Sequence, residues 1–128
     1  HCGTCRACLD ACPAGALTAP YQLDARKCVS YLTIESRAPI PAELRAAVGD
    51  RLFGCDACQE ACPWNRDTPR TAEPAFQPRP GMNPVDLDAI QSLDEEEFRR
   101  RFRRTPLWRA KLDGIRRNAD VVKRNRRK

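Results

Sequence analysis

The first thirteen residues, His1-Cys2-Gly3-Thr4-Cys5-Arg6-Ala7-Cys8-Leu9-Asp10-Ala11-Cys12-Pro13, place four cysteines at the spacing C-x2-C-x2-C-x3-C-P. A second, split copy follows, in which Cys28 stands alone and Cys55, Cys58 and Cys62 form C-x2-C-x3-C-P. This spacing is typical of the cysteines that bind iron-sulfur clusters in bacterial ferredoxins. The eight cysteines therefore indicate two sets of four ligands.

In this pattern the fourth cysteine, which precedes proline, ligates the other cluster of the pair. The rule assigns one 4Fe-4S cluster to Cys2, Cys5, Cys8 and Cys62, and the other to Cys12, Cys28, Cys55 and Cys58. Two intervening residues let successive thiolates curl around one cube, while backbone N–H groups between them turn toward the sulfurs and stabilise the negative charge. We expect the crossed ligation to tie the two halves of the region together.

Disulfides and zinc are the alternatives for eight cysteines. An even number of cysteines is compatible with a secreted disulfide scaffold, and C-x2-C pairs also ligate zinc. The repeated x2 and x3 spacing and the lack of a recognisable leader argue against disulfides. A zinc module needs two pairs of ligands rather than a run of four cysteines ending in proline, so iron-sulfur clusters are favoured.

Composition limits how the chain can be stabilised. It has 128 residues, of which 31% are charged, and a mean hydropathy of -0.64, so little apolar material is available for a large core. Ligand-to-metal bonds can supply the missing free energy of folding. No apolar run is long enough for a membrane span, and a cytoplasmic protein is expected. Because the chain begins at His1 and not at Met, we also expect a fragment.

Positive charge is concentrated toward the end of the chain. Between Arg99 and Lys128 lie 14 of the 23 Lys and Arg residues, with only Asp113 and Asp120 to oppose them. Such a segment suggests a nucleic-acid partner, through neutralised phosphates, or a solvated helix face. The charge pattern alone does not decide between the two.

The sequence predicts a mainly helical α+β fold with little strand. Residues 1–66 form a ferredoxin-like domain for two 4Fe-4S clusters, 67–84 a proline-rich linker, and 85–128 a basic helical segment. Within the first domain, Val29 to Ile34 is rich in β-branched residues and predicts a short strand. Pro41 to Gly49 predicts an inserted helix, with proline in its first turn and glycine past its end.

In the basic helical segment, Asp94 is positioned to cap a helix, with Leu93 and Phe98 packing as a staple. Thr105-Pro106 predicts a second helix start, and Asp113-Gly114 predicts a break in that helix. Trp64 and Trp108 could stack on bases, but a lone tryptophan is more often part of a core, and we expect core positions for both.

Two further stretches carry a resemblance: Pro20 to Glu35 (PYQLDARKCVSYLTIE) and Gly54 to Asn65 (GCDACQEACPWN). Together with Leu93 to Phe98 and Thr105-Pro106-Leu107, they closely resemble the epoxyqueuosine reductase family over most of the chain. The resemblance implies a cobalamin-dependent enzyme that reduces epoxyqueuosine to queuosine at the wobble position of certain tRNAs.

In that family an N-terminal domain holds cobalamin and the catalytic acid, and a two-cluster domain delivers electrons. The resemblance therefore implies that this chain contains the electron-relay domain and the start of a HEAT-like helical region, with no catalytic residue. The implied partners are tRNA and an external one-electron donor, and the implied protein is a monomer without membrane contact.

Two other functions remain open from the sequence. The chain could be a ferredoxin-type electron-transfer module for another reductase, without tRNA. It could also be a nucleic-acid-binding module in which the clusters are only structural.

Overall fold

Short helices joined by turns make up most of the computed structural model, which describes residues 2–78 and 85–127. In these two ranges the α-helices are α1 Ala7–Asp10, α2 Val29–Ile34, α3 Arg45–Val48, α4 Ala57–Glu60, α5 Leu87–Ser92, α6 Glu95–Phe102 and α7 Lys111–Arg126. Single 3-10 turns lie at Ala42–Leu44, Pro63–Asn65, Pro74–Phe76 and Pro106–Ala110. The expected mainly helical fold is confirmed.

One small hairpin supplies the strands of the described chain. Strand β1, Leu17–Ala19, pairs antiparallel with β2, Gln22–Leu23, with an irregular register. Tyr21 makes the turn with a φ of 63°, a conformation that residues other than glycine rarely adopt. The hairpin therefore reverses the chain between Cys12 and Cys28.

The predicted strand from Val29 to Ile34 is wrong, because these residues form helix α2. Its buried residues, Val29, Leu32 and Thr33, follow the helical spacing i, i+3, i+4 and place one face against the core. Burial of this face outweighs the weak preference of β-branched residues for strands.

The predicted insertion after Pro41 is helical, as a 3-10 turn at Ala42–Leu44 that continues into α3. Gly49 follows with a φ of 56°, which explains why a glycine ends this helix. In the proline-rich segment, residues 67–78 contain no helix or strand apart from the 3-10 turn at Pro74–Phe76. The rest of that predicted linker, residues 79–84, lies outside the described residues.

Helix α6 begins as predicted. The Asp94 side chain accepts a hydrogen bond from the Glu97 backbone N–H at 2.7 Å, and Leu93 and Phe98 are both buried. The Phe98 ring lies 5.2 Å from that of Phe102 and stacks on Trp108 with centroids 5.5 Å apart. Trp108 thus joins the core, whereas the expectation for Trp64 is wrong, because that side chain is 71% exposed.

The predicted break at Asp113-Gly114 is also wrong, since α7 runs without interruption from Lys111 to Arg126. A glycine costs a helix about 1 kcal/mol relative to alanine. Burial of Leu112 and Ile115 on either side of Gly114 offsets that cost.

A hydrophobic cluster joins helices α2 and α3 to the C-terminal helices. It includes Val29 and Leu32 of α2, Val48 of α3, and residues of α5, α6 and α7. Helix α7 packs against α2, α3 and α5, so it lies at the centre of this core. Among the described residues no helix is both long and apolar enough to cross a membrane.

Candidate iron-sulfur site

The two C-x2-C-x3-C-P runs fold into the same local structure. In the first, the Asp10 N–H donates to Arg6 O at 3.0 Å, and in the second the Glu60 N–H donates to Asp56 O at 2.8 Å. In both copies the residue just before the last cysteine, Ala11 or Ala61, ends the helix, and the backbone hydrogen bonds at this end follow the same pattern. Each copy is thus a single helical turn, with the middle cysteine inside it and the last cysteine just after it.

Helices α1 and α4 pack against each other, which places the two copies side by side. The pKa of the Cys58 thiol is raised, mainly by burial and in part by the charges of Cys55 and Cys12. Cys12 is far from Cys58 in sequence, yet the charge of its thiolate contributes to the raised pKa of the Cys58 thiol. The packing of α1 on α4 therefore brings the segment of Cys12 to the segment of Cys58, as the second predicted set requires.

Cys28, the remaining member of that set, precedes helix α2 and acts as its N-cap residue. The Leu32 N–H donates to Cys28 O at 2.9 Å, so the first turn of α2 fixes the backbone of this cysteine. Cys55 follows Gly54, whose φ of 77° is the left-handed conformation that favours glycine. The first turn of α2 therefore fixes the position of Cys28, and the left-handed conformation of Gly54 sets the direction in which the chain enters Cys55.

The first predicted set comprises Cys2, Cys5, Cys8 and Cys62. The Cys5 N–H donates to Cys2 O at 2.9 Å, so these two cysteines share one turn. Cys8 lies within α1, and Cys62 directly follows the end of α4. Packing of α1 on α4 is the contact that would bring Cys62 to the other three.

Backbone N–H groups surround the Cys12 sulfur. Burial alone would raise its pKa, but hydrogen bonds from the backbone of Leu17, Ala16, Ala14 and Gly15 outweigh burial and lower it. The Ala16 N–H donates to Cys12 Sγ at 3.2 Å. Amide donors directed at a thiolate are the environment that a negatively charged cluster requires, so this residue fits an iron-sulfur ligand.

All eight cysteines lie in the described part of the chain, and all are free thiols. Cys2 and Cys5 are exposed, and the other six are partly buried. In residues 2–78 and 85–127, no three His, Cys, Asp or Glu side chains converge as ligands of a single metal ion. A 4Fe-4S cube binds each thiolate at a separate iron, so its ligands are spread around a cluster. The donor set and its spacing fit two such cubes better than one tetrahedral zinc ion.

Charged residues beside the cysteines contact their own neighbours. Arg26 Nε lies 2.9 Å from Asp24 Oδ1, and this pair lowers the pKa of Asp24. Arg6 Nε lies 3.9 Å from Asp10 Oδ1 across one helical turn. The arginines next to the ligands are therefore already paired with carboxylates in the free chain.

Many basic side chains of the C-terminal segment also have partners within the chain. Carboxylates or backbone carbonyls of this protein contact Arg100, Arg101, Arg109, Arg116, Arg117, Lys123 and Arg126. Part of the positive charge is thus paired within the chain. It is not a uniformly solvated face, and it is not wholly available to an anionic partner.

Sequence reasoning missed Thr33 and Asn118, two fully buried polar residues that connect the cysteine region to α7. The signal for Asn118 was a poor helix former among apolar residues on the inner face of α7. Thr33 gave no comparable signal, because threonine is common in the strand that was predicted there.

Comparison with known proteins agrees with this geometry. Residues 1–65 match the 4Fe-4S double cluster binding domain. Epoxyqueuosine reductase of Pseudomonas aeruginosa is 50% identical over 121 residues, which cover 94% of this chain and 34% of that protein. The enzyme of the same name from Escherichia coli K12 is 48% identical over 97 residues, covering 76% of this chain and 26% of that protein.

Solved structures give the same result. A crystal structure of epoxyqueuosine reductase with an epoxyqueuosine-modified tRNA-Tyr stem loop superimposes with a TM-score of 0.90 at 36% identity, over 98% of this chain and 33% of that one. Epoxyqueuosine reductase from Streptococcus thermophilus superimposes with a TM-score of 0.87 at 28% identity, over 99% of this chain and 33% of that one.

The chain thus spans about a third of the length of the relatives that it matches. It belongs to the family of 4Fe-4S double cluster binding domains, and nearly all of it is related to a part of epoxyqueuosine reductase.

Proposed function

We propose that this chain is the electron-relay part of an epoxyqueuosine reductase. The observation that supports this most directly is the packing of two matching cysteine turns, α1 and α4, against each other. Two ligand sets that meet across one helix pair are suited to passing electrons over a short distance. The relationship to epoxyqueuosine reductases supplies the substrate class.

The proposed ligand sets are those given by the cysteine spacing. One cluster would be held by Cys2, Cys5, Cys8 and Cys62, and the other by Cys12, Cys28, Cys55 and Cys58. When bound, 4Fe-4S clusters supply one-electron transfer at a potential that depends on nearby hydrogen bonds and solvent exposure. The Ala16 N–H, which donates to Cys12 Sγ, is one hydrogen bond that would stabilise the charge on the second set.

The overall reaction needs two electrons for each epoxide. Conversion of an epoxide to an alkene breaks both C–O bonds, takes up two electrons and two protons, and releases water. We propose that an external one-electron donor reduces this domain twice per turnover, and that cobalamin and the catalytic acid lie in parts of the protein outside this chain. The role of the present residues is to hold and orient the two clusters.

The proposed macromolecular partner of the complete protein is tRNA. One solved relative is in complex with a modified tRNA stem loop. In this chain Arg99 and Arg103 are exposed on and just after α6, where they could contact phosphates. We further propose that the protein acts as a cytoplasmic monomer.

Anaerobic reconstitution with iron and sulfide tests the cofactor assignment. The chain should bind about eight iron and eight sulfide ions, and reduction should produce an EPR signal of two neighbouring clusters. A zinc-loaded, EPR-silent protein would contradict the proposal.

The substrate assignment needs the polypeptide encoded by the complete reading frame. It should convert epoxyqueuosine in a tRNA stem loop to queuosine, detected by a mass decrease of one oxygen atom. A protein that binds both clusters and leaves this substrate unchanged would favour the alternative, an electron-transfer module for another reductase.

A further inference from the structure

Thr33 connects the two segments that carry Cys28 and Cys55. It lies in α2 with no exposed surface, and its hydroxyl donates to Val29 O at 2.8 Å. The same oxygen accepts a hydrogen bond from the Gly54 N–H at 3.0 Å. One hydroxyl therefore contacts the residue after Cys28 and the residue before Cys55.

Asn118 of α7 reinforces the same connection. Its side-chain amide is fully buried and donates to Thr33 O at 2.7 Å and to Leu52 O at 2.9 Å. Asn118 Oδ1 accepts from Arg117 Nε and Nη2, which fixes the orientation of the amide. Both polar ends of Asn118 are thus satisfied.

The neighbouring Arg117 holds the end of α2 in place. Its guanidinium donates to the carbonyl oxygens of Leu32, Ser36 and Ala38, each at 2.7 Å. Together with the two bonds to Asn118, these contacts use every N–H of the guanidinium. A network with all its groups satisfied is rigid, because each rearrangement leaves a polar group without a partner.

We propose that Thr33, supported by Asn118, is a positioning residue for the second ligand set. The hydroxyl fixes the separation of the Cys28 and Cys55 backbones and therefore the geometry of the cube that these two cysteines share. In the described part of the chain, the hydrogen bonds of this hydroxyl go to Val29, Ser30 and Gly54, and none goes to residues 2–8. This proposal rests on the proposed function, because it assumes the second set of Cys12, Cys28, Cys55 and Cys58.

Replacement of Thr33 by valine keeps the shape and removes the hydroxyl. In the reconstituted full chain, Thr33→Val should destabilise the second cluster selectively, so that iron and sulfide fall toward half after mild chelation. The reduced EPR signal should then lose the magnetic interaction between clusters. Thr33→Ser keeps the hydroxyl and should retain both clusters. Thr18→Val, the same change at an exposed site in β1, is the matched control.

Cysteine variants identify which cluster is lost. In a Cys62→Ala background, which retains only the second cluster, Thr33→Val should remove the remaining iron. In a Cys28→Ala background, which retains only the first, it should change nothing. Equal loss of both clusters from Thr33→Val, or full retention of both, would overturn the positioning role.

Hydrogen exchange of the unmodified holoprotein gives a test that does not depend on the variant folding. The Gly54 amide should exchange at least ten-fold more slowly than an unprotected amide, and Thr33→Ser should preserve this protection. Exchange of Gly54 at the unprotected rate would overturn the proposal. If the parent chain fails to bind two clusters, the proposed function itself is wrong, which is a different result.

Discussion

The crossed ligand assignment can be tested by removing cysteines in pairs. Cys12 and Cys58 belong to one set in the crossed arrangement, whereas Cys58 and Cys62 belong to different sets. If ligation instead followed sequence order, Cys2, Cys5, Cys8 and Cys12 would hold one cluster and Cys28, Cys55, Cys58 and Cys62 the other. The two arrangements therefore give opposite results for the two double variants.

The expected magnitude follows from cluster stoichiometry. With crossed ligation, Cys12→Ala/Cys58→Ala damages one cluster only and should retain about four of about eight iron ions, whereas Cys58→Ala/Cys62→Ala damages both and should retain almost none. Both arrangements require the two cysteine turns to lie side by side, and α1 does pack against α4, so the iron content of the two double variants is what distinguishes them.

Iron and sulfide analysis after anaerobic reconstitution measures the number of clusters, and EPR of the reduced protein shows whether the remaining cluster is intact. The single variants Cys12→Ala and Cys58→Ala serve as controls, because each should resemble the double variant that combines them. Loss of all iron from Cys12→Ala/Cys58→Ala, together with half retention by Cys58→Ala/Cys62→Ala, would refute the crossed arrangement.

Three further predictions concern stability. Ile115 has no exposed surface. In urea unfolding, Ile115→Ala should lower the free energy of unfolding by about 2–5 kcal/mol and Ile115→Val by about 0.5–1.5 kcal/mol. Equal effects of the two substitutions would contradict tight packing of α7. Hydrogen bonds from Arg100 and Arg101 lower the pKa of Glu97 to about 2. The ionised Glu97 carboxylate therefore contributes fully to stability above the unfolded pKa near 4.5, and this contribution is lost as pH falls toward 2. Carboxyl NMR should show this titration, and a midpoint near 4.5 would disprove the pairing. A chain ending at residue 78 lacks α5 to α7 and should fail to retain clusters after reconstitution. Metal analysis measures this, and a stable truncated protein that holds both clusters would show that these helices are dispensable.

Local features of the sequence predicted the parts of the structure that depend on nearby residues. The two C-x2-C-x3-C-P runs fold into matching turns because their hydrogen bonds join residues three or four positions apart. The cap at Asp94 and the glycine end of α3 were predictable for the same reason. Ligand spacing is also a local property, so candidate ligand sets can be proposed from the sequence, and their assignment to two clusters stays a prediction.

Contacts between distant residues decided the features that sequence reasoning missed or assigned wrongly. Residues 29–34 became helix α2 because its inner face packs against α7, which the β-branched composition does not reveal. The hydrogen bond from Asn118 to Thr33 joins residues 85 positions apart. Neither residue belongs to a known ligand pattern, so only the three-dimensional structure could connect them to the cysteines.

The distribution of core residues bears on where the folding unit ends. In residues 2–78 and 85–127 the hydrophobic cluster contains fifteen buried residues; Val29, Leu32, Ile40 and Val48 precede residue 79, and the other eleven come from α5 onward. Because most of the buried cluster lies in the C-terminal helices, we expect the cysteine region to obtain much of its stability from these helices, from bound clusters, or from both. The Thr33 and Asn118 contacts connect these two sources, because Asn118 of α7 bonds the backbone of Thr33, whose hydroxyl in turn contacts the residues beside Cys28 and Cys55, two proposed cluster ligands. We therefore infer that the C-terminal helices belong to the same folding unit as the proposed cluster ligands, even though the cysteine pattern ends at Cys62.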